Sequence, residues 1–325
     1  MMKKLLYLFM VLPFVALAQN QYNYGFSGTT ANMTTAGWVR TNQSTSPSTT
    51  LWTVASYTPV TISATQLTLP FSTQTYATGQ SCPAPSGQAG GTNSFALVNY
   101  TSTSSTLAAG ATISNWLISP IITVQNGDVI SFWSRIGKFS ATNTASYADD
   151  LQLRMSTNGS FTADPTTGPA DTGDYSEVLV DINPNFNLTS YPATWTQYSY
   201  TISGLDVPTD CKFAFRYYVT DGGLNGTNSD IIGIDTFSVD RPLATNDFFK
   251  GNFSVYPNPA TNVLNIANRN NLEITSAQIT DVNGRVVNQA TGAISQINIA
   301  DLTAGVYFLK LTTSQGVGTT RVVKN

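Results

Sequence analysis

The side chains that could do chemistry here are unusual for what they leave out. No histidine occurs anywhere in the 325 residues. That removes Ser-His-Asp and Cys-His nucleophilic catalysis, histidine-based zinc hydrolysis and pH switching by imidazole. Carboxylates remain, with lysine, tyrosine or a calcium-assisted scheme beside them. Asp149 and Asp150 are adjacent. On a strand, neighbours point to opposite faces, so these two cannot jointly flank one bond as glycosidase acids do. Asp150, Gln152 and Arg154 are expected on a polar outer face. Asp149 falls on the side of Leu151, at a strand end, where it would cap a loop or bind a cation. The run Asp221 to Asp230 is rich in oxygen ligands, and Asp235 follows it. Hard cations need such oxygen clusters. Asp149, Asp230 and Asp235 are therefore candidate ligands for Ca2+, against the alternative of a solvated loop. The acidic stretch from Asp164 to Asp181 is where a carbohydrate-active hydrolase would have to work. No catalytic motif accompanies it, and Glu177 and Glu273 are the only glutamates.

The elements that must position these groups read as strands. Charged residues number 33 of 325, against about a quarter in an average soluble domain. Ser, Thr, Asn and Gly fill the polar positions instead. No long 3.6-period stripe with caps is present. Trp116-Leu117-Ile118 followed by Pro120 predicts a buried strand ending at a proline. Phe213, Phe215 and Tyr217 share one strand face, and Leu151, Leu153 and Met155 share another. Most aromatic residues are expected in a core, where they dominate sandwich packing. Trp38 and Trp52 lie among Thr, Ser and Asn, which makes them the candidates for an exposed stacking surface.

The N-terminus carries Lys3 and Lys4, an apolar run from Leu5 to Leu17, and the small residues Ala16 and Ala18. This predicts a secretory signal over residues 1–18, too short for a stable membrane span. No second long apolar stretch follows, so no integral membrane span is expected. Cys82 and Cys211 both lie in the exported region. An even count in an oxidising compartment favours a disulfide between them, against the alternative of two unpaired thiols. Residues 19–246 hold seven basic and fourteen acidic side chains, a balance of −7, and residues 247–325 a balance of +2. An acidic passenger argues against nucleic acid and anionic membrane surfaces as partners.

The last eighty or so residues contain three separated motifs. They are Tyr256-Pro257-Asn258-Pro259, then Asn283-Gly284 between apolar runs, then Gly305-Val306-Tyr307 with Lys324 near the end. Asn-Gly is the strongest short hairpin signal, since both residues tolerate positive φ. Tyr307, Leu309 and Leu311 alternate with Phe308 and Lys310 in the period of a half-buried strand. Strand-like runs near Phe253, Val263, Ile274, Val286, Ile297, Val306 and Val322 give about seven strands, the usual number for an immunoglobulin-like sandwich. The motifs, their order and their terminal position resemble the type A sorting domain of the bacterial type IX secretion system. That resemblance implies two partners, the secretion machinery and its sortase. One departure is a final strand with only Arg321 and Lys324 as basic residues.

Further blocks run through the passenger: Gly25-Phe26, Gly37-Trp38, Asn115 to Pro120, Gly127 to Trp133, Asp149 to Leu153, Phe213 to Tyr217, and Gly233 to Val239. In this order they resemble the choice-of-anchor J or cleaved-adhesin domain, a jelly roll related in shape to MAM domains. Relatives of that domain hold calcium with an acid near the first strand and an Asp pair in the last. Here Ser27 stands at the first position, Asp235 matches the first of the pair and Thr236 replaces the second.

The expectation is an all-β chain, a large jelly-roll β-sandwich followed by a small immunoglobulin-like β-sandwich. The expected division is signal 1–18, adhesin-like domain 19–240, linker 241–251 and sorting domain 252–325. The function expected is a non-enzymatic, adhesin-like binding protein, secreted or held at the outer surface of a Gram-negative bacterium via the periplasm. Its ligand would be an extracellular glycan or protein. A structural or accessory surface protein is the alternative, with the hydrolase behind both.

Overall fold

In the computed structural model, residues 19–106, 110–137, 147–242, 246–292, 294–313 and 316–325 are described. The expected signal, residues 1–18, lies outside them. Two units are present, Asn20–Arg241 and Pro242–Asn325.

The first strands of the large unit are β1 (Gln19–Tyr24), β2 (Val39–Asn42), β3 (Thr53–Val54), β4 (Val60–Thr61) and β5 (Ser81–Cys82). Next come β6 (Ala96–Asn99), β7 (Ala111–Ile118), β8 (Ile122–Val124), β9 (Val129–Ile136) and β10 (Leu151–Ser156). The last are β11 (Glu177–Ile182), β12 (Thr196–Thr201), β13 (Thr209–Gly222) and β14 (Ile231–Arg241). One sheet runs β12-β9-β14-β6-β3 with β1 beside β14. The other runs β11-β10-β13-β7-β2 with β8 beside β13. A short helix, α1 (Thr30–Thr35), is capped by Thr29 and buries Met33.

Alternation explains why these two sheets close on each other as a jelly-roll sandwich. In β13, Phe213, Phe215, Tyr217 and Val219 are buried in the main core. Phe215 stands opposite Leu153 of β10 on one side and Leu117 of β7 on the other. Its ring meets Phe132 of the facing sheet edge-on at 4.9 Å between centroids and Phe237 at 5.7 Å. Edge-to-face pairs of this kind contribute beyond the area they bury.

Trp38 and Trp52 are not a surface platform. They are 1% and 0% exposed. Trp38 packs against Phe26, Phe215 and Phe237, and its indole N–H donates to the Tyr22 hydroxyl at 3.0 Å. The Trp52 N–H donates to the Asn115 carbonyl at 3.1 Å. Both rings found an acceptor inside, so burial of a large apolar surface outweighed their polar sequence neighbours.

The small unit comprises α2 (Asn246–Asn252), β15 (Phe253–Tyr256), β16 (Val263–Asn268), β17 (Ile274–Asp281) and β18 (Val286–Thr291). It ends with β19 (Gln296–Asn298), β20 (Gly305–Thr313) and β21 (Gly316–Lys324). Each strand lies where the apolar runs placed one. Two sheets, β15-β16-β19 and β18-β17-β20-β21, enclose Leu264, Ile279, Leu309, Leu311 and Val322.

Part of the segment read as a linker is ordered. Arg241 closes β14, and its guanidinium makes two bonds of 2.8 Å to Asp128. Residues 246–252 form α2, which buries Phe249 against Phe253 with centroids 5.7 Å apart. The Phe248-Phe249 pair has apolar surface to hide, and a mobile linker would leave it in water. Gly318 permits this close approach, because a Cβ there would sit 3.0 Å from the Phe249 Cα. Among the described residues, no helix is long and apolar enough to cross a membrane.

Truncating the ring at the centre of the main core should cost the large unit most of its stability margin. Phe215→Ala is expected to destabilise it by about 3–5 kcal/mol, read from denaturant unfolding followed by tryptophan fluorescence. A loss below about 1 kcal/mol would show that this aromatic contact is not the keystone.

Candidate functional site

The motif residues at the C-terminus converge. β15 ends at Tyr256, whose side chain is 55% exposed. Pro257 and Pro259 follow, and neither has an N–H to give a neighbouring strand. Asn258 supplies what they lack. Its Nδ2 donates to the Arg321 carbonyl at 3.0 Å, and its Oδ1 accepts from the Val323 N–H at 2.9 Å. Ala260 is buried and continues the contact through its backbone. Its N–H donates to the Val323 carbonyl and its carbonyl accepts from the Asn325 N–H, each at 2.9 Å. Lys324 stands beside Ala260 in a parallel bridge and opposite Gly305 in the β20–β21 ladder. Tyr307 pairs with Asp281 on one side and Val322 on the other. Its hydroxyl donates to the Thr303 carbonyl at 2.8 Å. Asp281 opens the turn that holds Asn283 and Gly284. All three motifs therefore lie at one end of the four-stranded sheet.

The turn differs from the one its dipeptide suggested. Gly284 takes φ of +80°, but Asn283 is not in the positive-φ region. Asp281 closes the turn instead. Its Oδ1 accepts from the N–H groups of Asn283 and Arg285, both at 3.0 Å, and its Oδ2 from Arg285 Nε at 3.2 Å. The Arg285 backbone N–H is the main influence holding this carboxyl below its ordinary range. Asp281 heads the second motif, Asp281 to Val287, but the sequence reading gave it no role in the turn. Its signal was an Asp two residues before Asn-Gly, the position of an Asx turn.

Residues 254–325 match the family model of the secretion system C-terminal sorting domain. No curated protein matches the chain. Among solved structures, the K3 cleaved adhesin domain of Lys-gingipain from Porphyromonas gingivalis is similar, with 14% identity and a TM-score of 0.38. That match covers 68% of this chain and 99% of that one. The K1 domain of the same protein gives 14% identity, 68% and 97% coverage, and a TM-score of 0.35. The adhesin domain of Epf from Streptococcus pyogenes gives 9% identity, 70% and 75% coverage, and a TM-score of 0.34. At these TM-scores the likeness assigns neither fold nor ligand.

In the large unit, the three candidate calcium ligands are not assembled. Asp149 and Asp230 meet: Asp149 Oδ1 accepts from the Asp230 N–H at 2.8 Å and the Tyr217 hydroxyl at 2.6 Å. Asp149 Oδ2 is buried without a partner. Asp235 is held elsewhere, by the N–H groups of Ala89 at 3.0 Å and Thr236 at 2.6 Å. Among the described residues, no group of three or more His, Cys, Asp or Glu side chains could hold a metal ion. Asp235 and one oxygen of Asp149 are held by hydrogen-bond donors, and the three carboxylates do not converge, whereas Ca2+ needs six to eight converging oxygens. These residues do not fit it.

Burial dominates the acid–base behaviour of these groups. It pushes Asp149 up to about 7 against the opposing bonds from Asp230 and Tyr217. Asp230 and Asp235 are each pushed up to about 6, again by burial first. Asp150 points to the other face, as strand alternation requires. Burial, then its hydrogen bond with Asp181, raises it to about 9. Beside it a row crosses the sheet: Gln152 stands opposite Asp181 and Arg216, and Arg216 opposite Trp116. The Arg216 guanidinium lies 3.8 Å from the Tyr218 ring centre and 5.0 Å from that of Trp116. It also donates to Ser114 Oγ, Gln152 Oε1 and the Pro169 carbonyl. The polar outer face expected around Asp150, Gln152 and Arg154 exists, but Asp150 and Gln152 are buried in it. Most of its groups are bonded to one another, while Asp150 Oδ1 is buried without a partner.

The expected disulfide is absent. Cys82 and Cys211 are both buried free thiols. Cys82 packs with Ile62 and Leu69 beside the β4–β5 ribbon, and Cys211 sits in the main core. Two separate apolar clusters hold them, so an even cysteine count was no guide to pairing. Burial raises the Cys211 thiol to about 11, with Asp210 and Glu177 adding to it. Alkylation without reductant should therefore modify neither cysteine in the folded chain and both after denaturation, read by intact mass. An unmodified denatured chain would restore the bridge.

The raised acids set a pH dependence. Asp149 ordinarily titrates at 3.8 and in the fold at about 7, so the folded state binds more protons between those values. Its stability contribution is present at low pH and lost as pH rises through about 7. The melting midpoint of the large unit should fall by about 5 °C or more between pH 5 and pH 8. Asp149→Asn keeps an acceptor for Tyr217 and Asp230 and should flatten that slope. An unchanged slope in this variant would remove Asp149 as its source.

Proposed function

We propose that the chain is a secreted or surface-displayed, adhesin-like binding protein of a Gram-negative bacterium. The sorting domain is its address, and the large sandwich is its cargo. The observation that carries this reading is the match over residues 254–325. The convergence of the three motifs on one end of a folded sheet supports it. The type IX secretion machinery is the exporter we infer, with a sortase that separates or anchors the cargo N-terminal to α2. Cleavage inside α2 would need Phe249 to leave the core first.

The large unit is read as binding rather than cutting. Asp149 and Asp150 face opposite sides of the sheet, so they offer no carboxylate pair around a common substrate. Asp149 is engaged by Tyr217 and Asp230, and Asp235 by backbone N–H groups. An extracellular glycan or protein is the ligand class that fits a charge-poor, hydroxyl-rich surface.

Deleting the sorting domain in a bacterium with a type IX system tests the address. The full chain should reach the cell surface or medium. A chain ending at Arg241 should remain in the periplasm, with surface signal reduced at least tenfold by immunoblot. Equal surface delivery of both would overturn the reading.

A further inference from the structure

An exposed C-terminal strand is a place where a small sandwich should fray. Chain ends are poorly ordered unless tied down, and an edge strand presents unpaired N–H and C=O groups. β21 is such a strand, paired with β20 on one side. Its outer edge near the terminus is closed by four bonds. Asn258 makes two, to the Arg321 carbonyl and from the Val323 N–H. Ala260 makes two, to the Val323 carbonyl and from the Asn325 N–H. The segment is therefore a surrogate strand, and its chemistry is specific. Pro257 and Pro259 cannot donate, so the backbone alone leaves the Arg321 carbonyl unserved. A carboxamide carries a donor and an acceptor in one plane, as a peptide group does. Asn258 replaces the missing peptide unit with its side chain.

We propose that Asn258 is the positioning residue of the sorting signal. It pins Arg321–Asn325 into the sheet, so that Tyr256–Ala260 and the C-terminal residues form one folded surface. The secretion machinery then recognises that surface, not two linear motifs. Tyr256, Arg321 and Asn325 are exposed on it and available for contact. This rests on the sorting function proposed above and names the form in which the signal is read.

The test uses the full chain and two independent readouts. One is amide hydrogen exchange at Val323, with Leu309 in the core as the folding control. The other is surface delivery in a bacterium with a type IX system. In Asn258→Ala, Leu309 should stay protected, Val323 should exchange about tenfold faster for one lost hydrogen bond, and delivery should fall several-fold. Tyr256→Ala should leave Val323 exchange unchanged, whatever it does to delivery. Faster Val323 exchange with normal delivery would overturn the proposal, because the pinned form would not be what is read. Lost delivery with unchanged exchange would overturn it too, because Asn258 would then be contacted directly. If Leu309 protection is lost, Asn258→Leu, close in shape but with neither donor nor acceptor, is scored by the same pair of readouts. Failure of the sorting function itself shows separately, as equal delivery with and without residues 242–325.

Discussion

Period-two pairing of strands is the constraint that both units obey. A strand in register offers alternate side chains to a core and to the outside, and its backbone groups to its neighbours. In β13 this sends Phe213, Phe215 and Tyr217 inward and Arg216 and Tyr218 outward. In β20 it sends Tyr307, Leu309 and Leu311 inward and Phe308 outward. The same rule parts Asp149 from Asp150. One acid enters the core beside Tyr217, and the other joins Asp181 on the opposite face. A pair that looks catalytic in one dimension is divided by a sheet in three.

The second demand of paired strands is that their edges be satisfied. The small unit meets it at the chain terminus with a side chain. Asn258, held between two prolines, bonds the outer edge of β21 where no strand is available. This gives the sorting motif a structural meaning. Its residues are distant in sequence because they serve adjacent backbone positions in the fold. Gly318 meets a related need, giving α2 room to lie against β21.

Much of the architecture was legible. The strands around Phe253, Val263 and Ile274, and the buried run Trp116-Leu117-Ile118, follow from alternation and from proline punctuation. Other features were not. Trp38 and Trp52 sit among polar residues, yet the polar neighbours face away while the rings fill the core. The Phe248-Phe249 pair lay in a stretch marked as a linker by its position, after the last strand of one domain and before the next. Cys82 and Cys211 agreed with a disulfide by count and compartment, but separate apolar clusters hold them. Asp235 and Asp230, five residues apart, end in different environments, so the oxygen-rich run does not become a cation site.

The sequence alone determined the fold class, the positions of the small unit's strands, the absence of imidazole chemistry and the presence of a C-terminal sorting motif set. Each is written in residue type, period or motif order, which are local properties. Only the tertiary structure decided which residues meet. It placed Asn258 against Arg321 and Val323, Asp149 against Tyr217 and Asp230, and Arg216 between Trp116 and Tyr218. All but the Arg216–Tyr218 contact join positions far apart in the chain, and they depend on sheet order and register. Burial has the same origin. A carboxyl or an indole has no environment until two sheets close over it, and that environment sets its charge, its partners and its role.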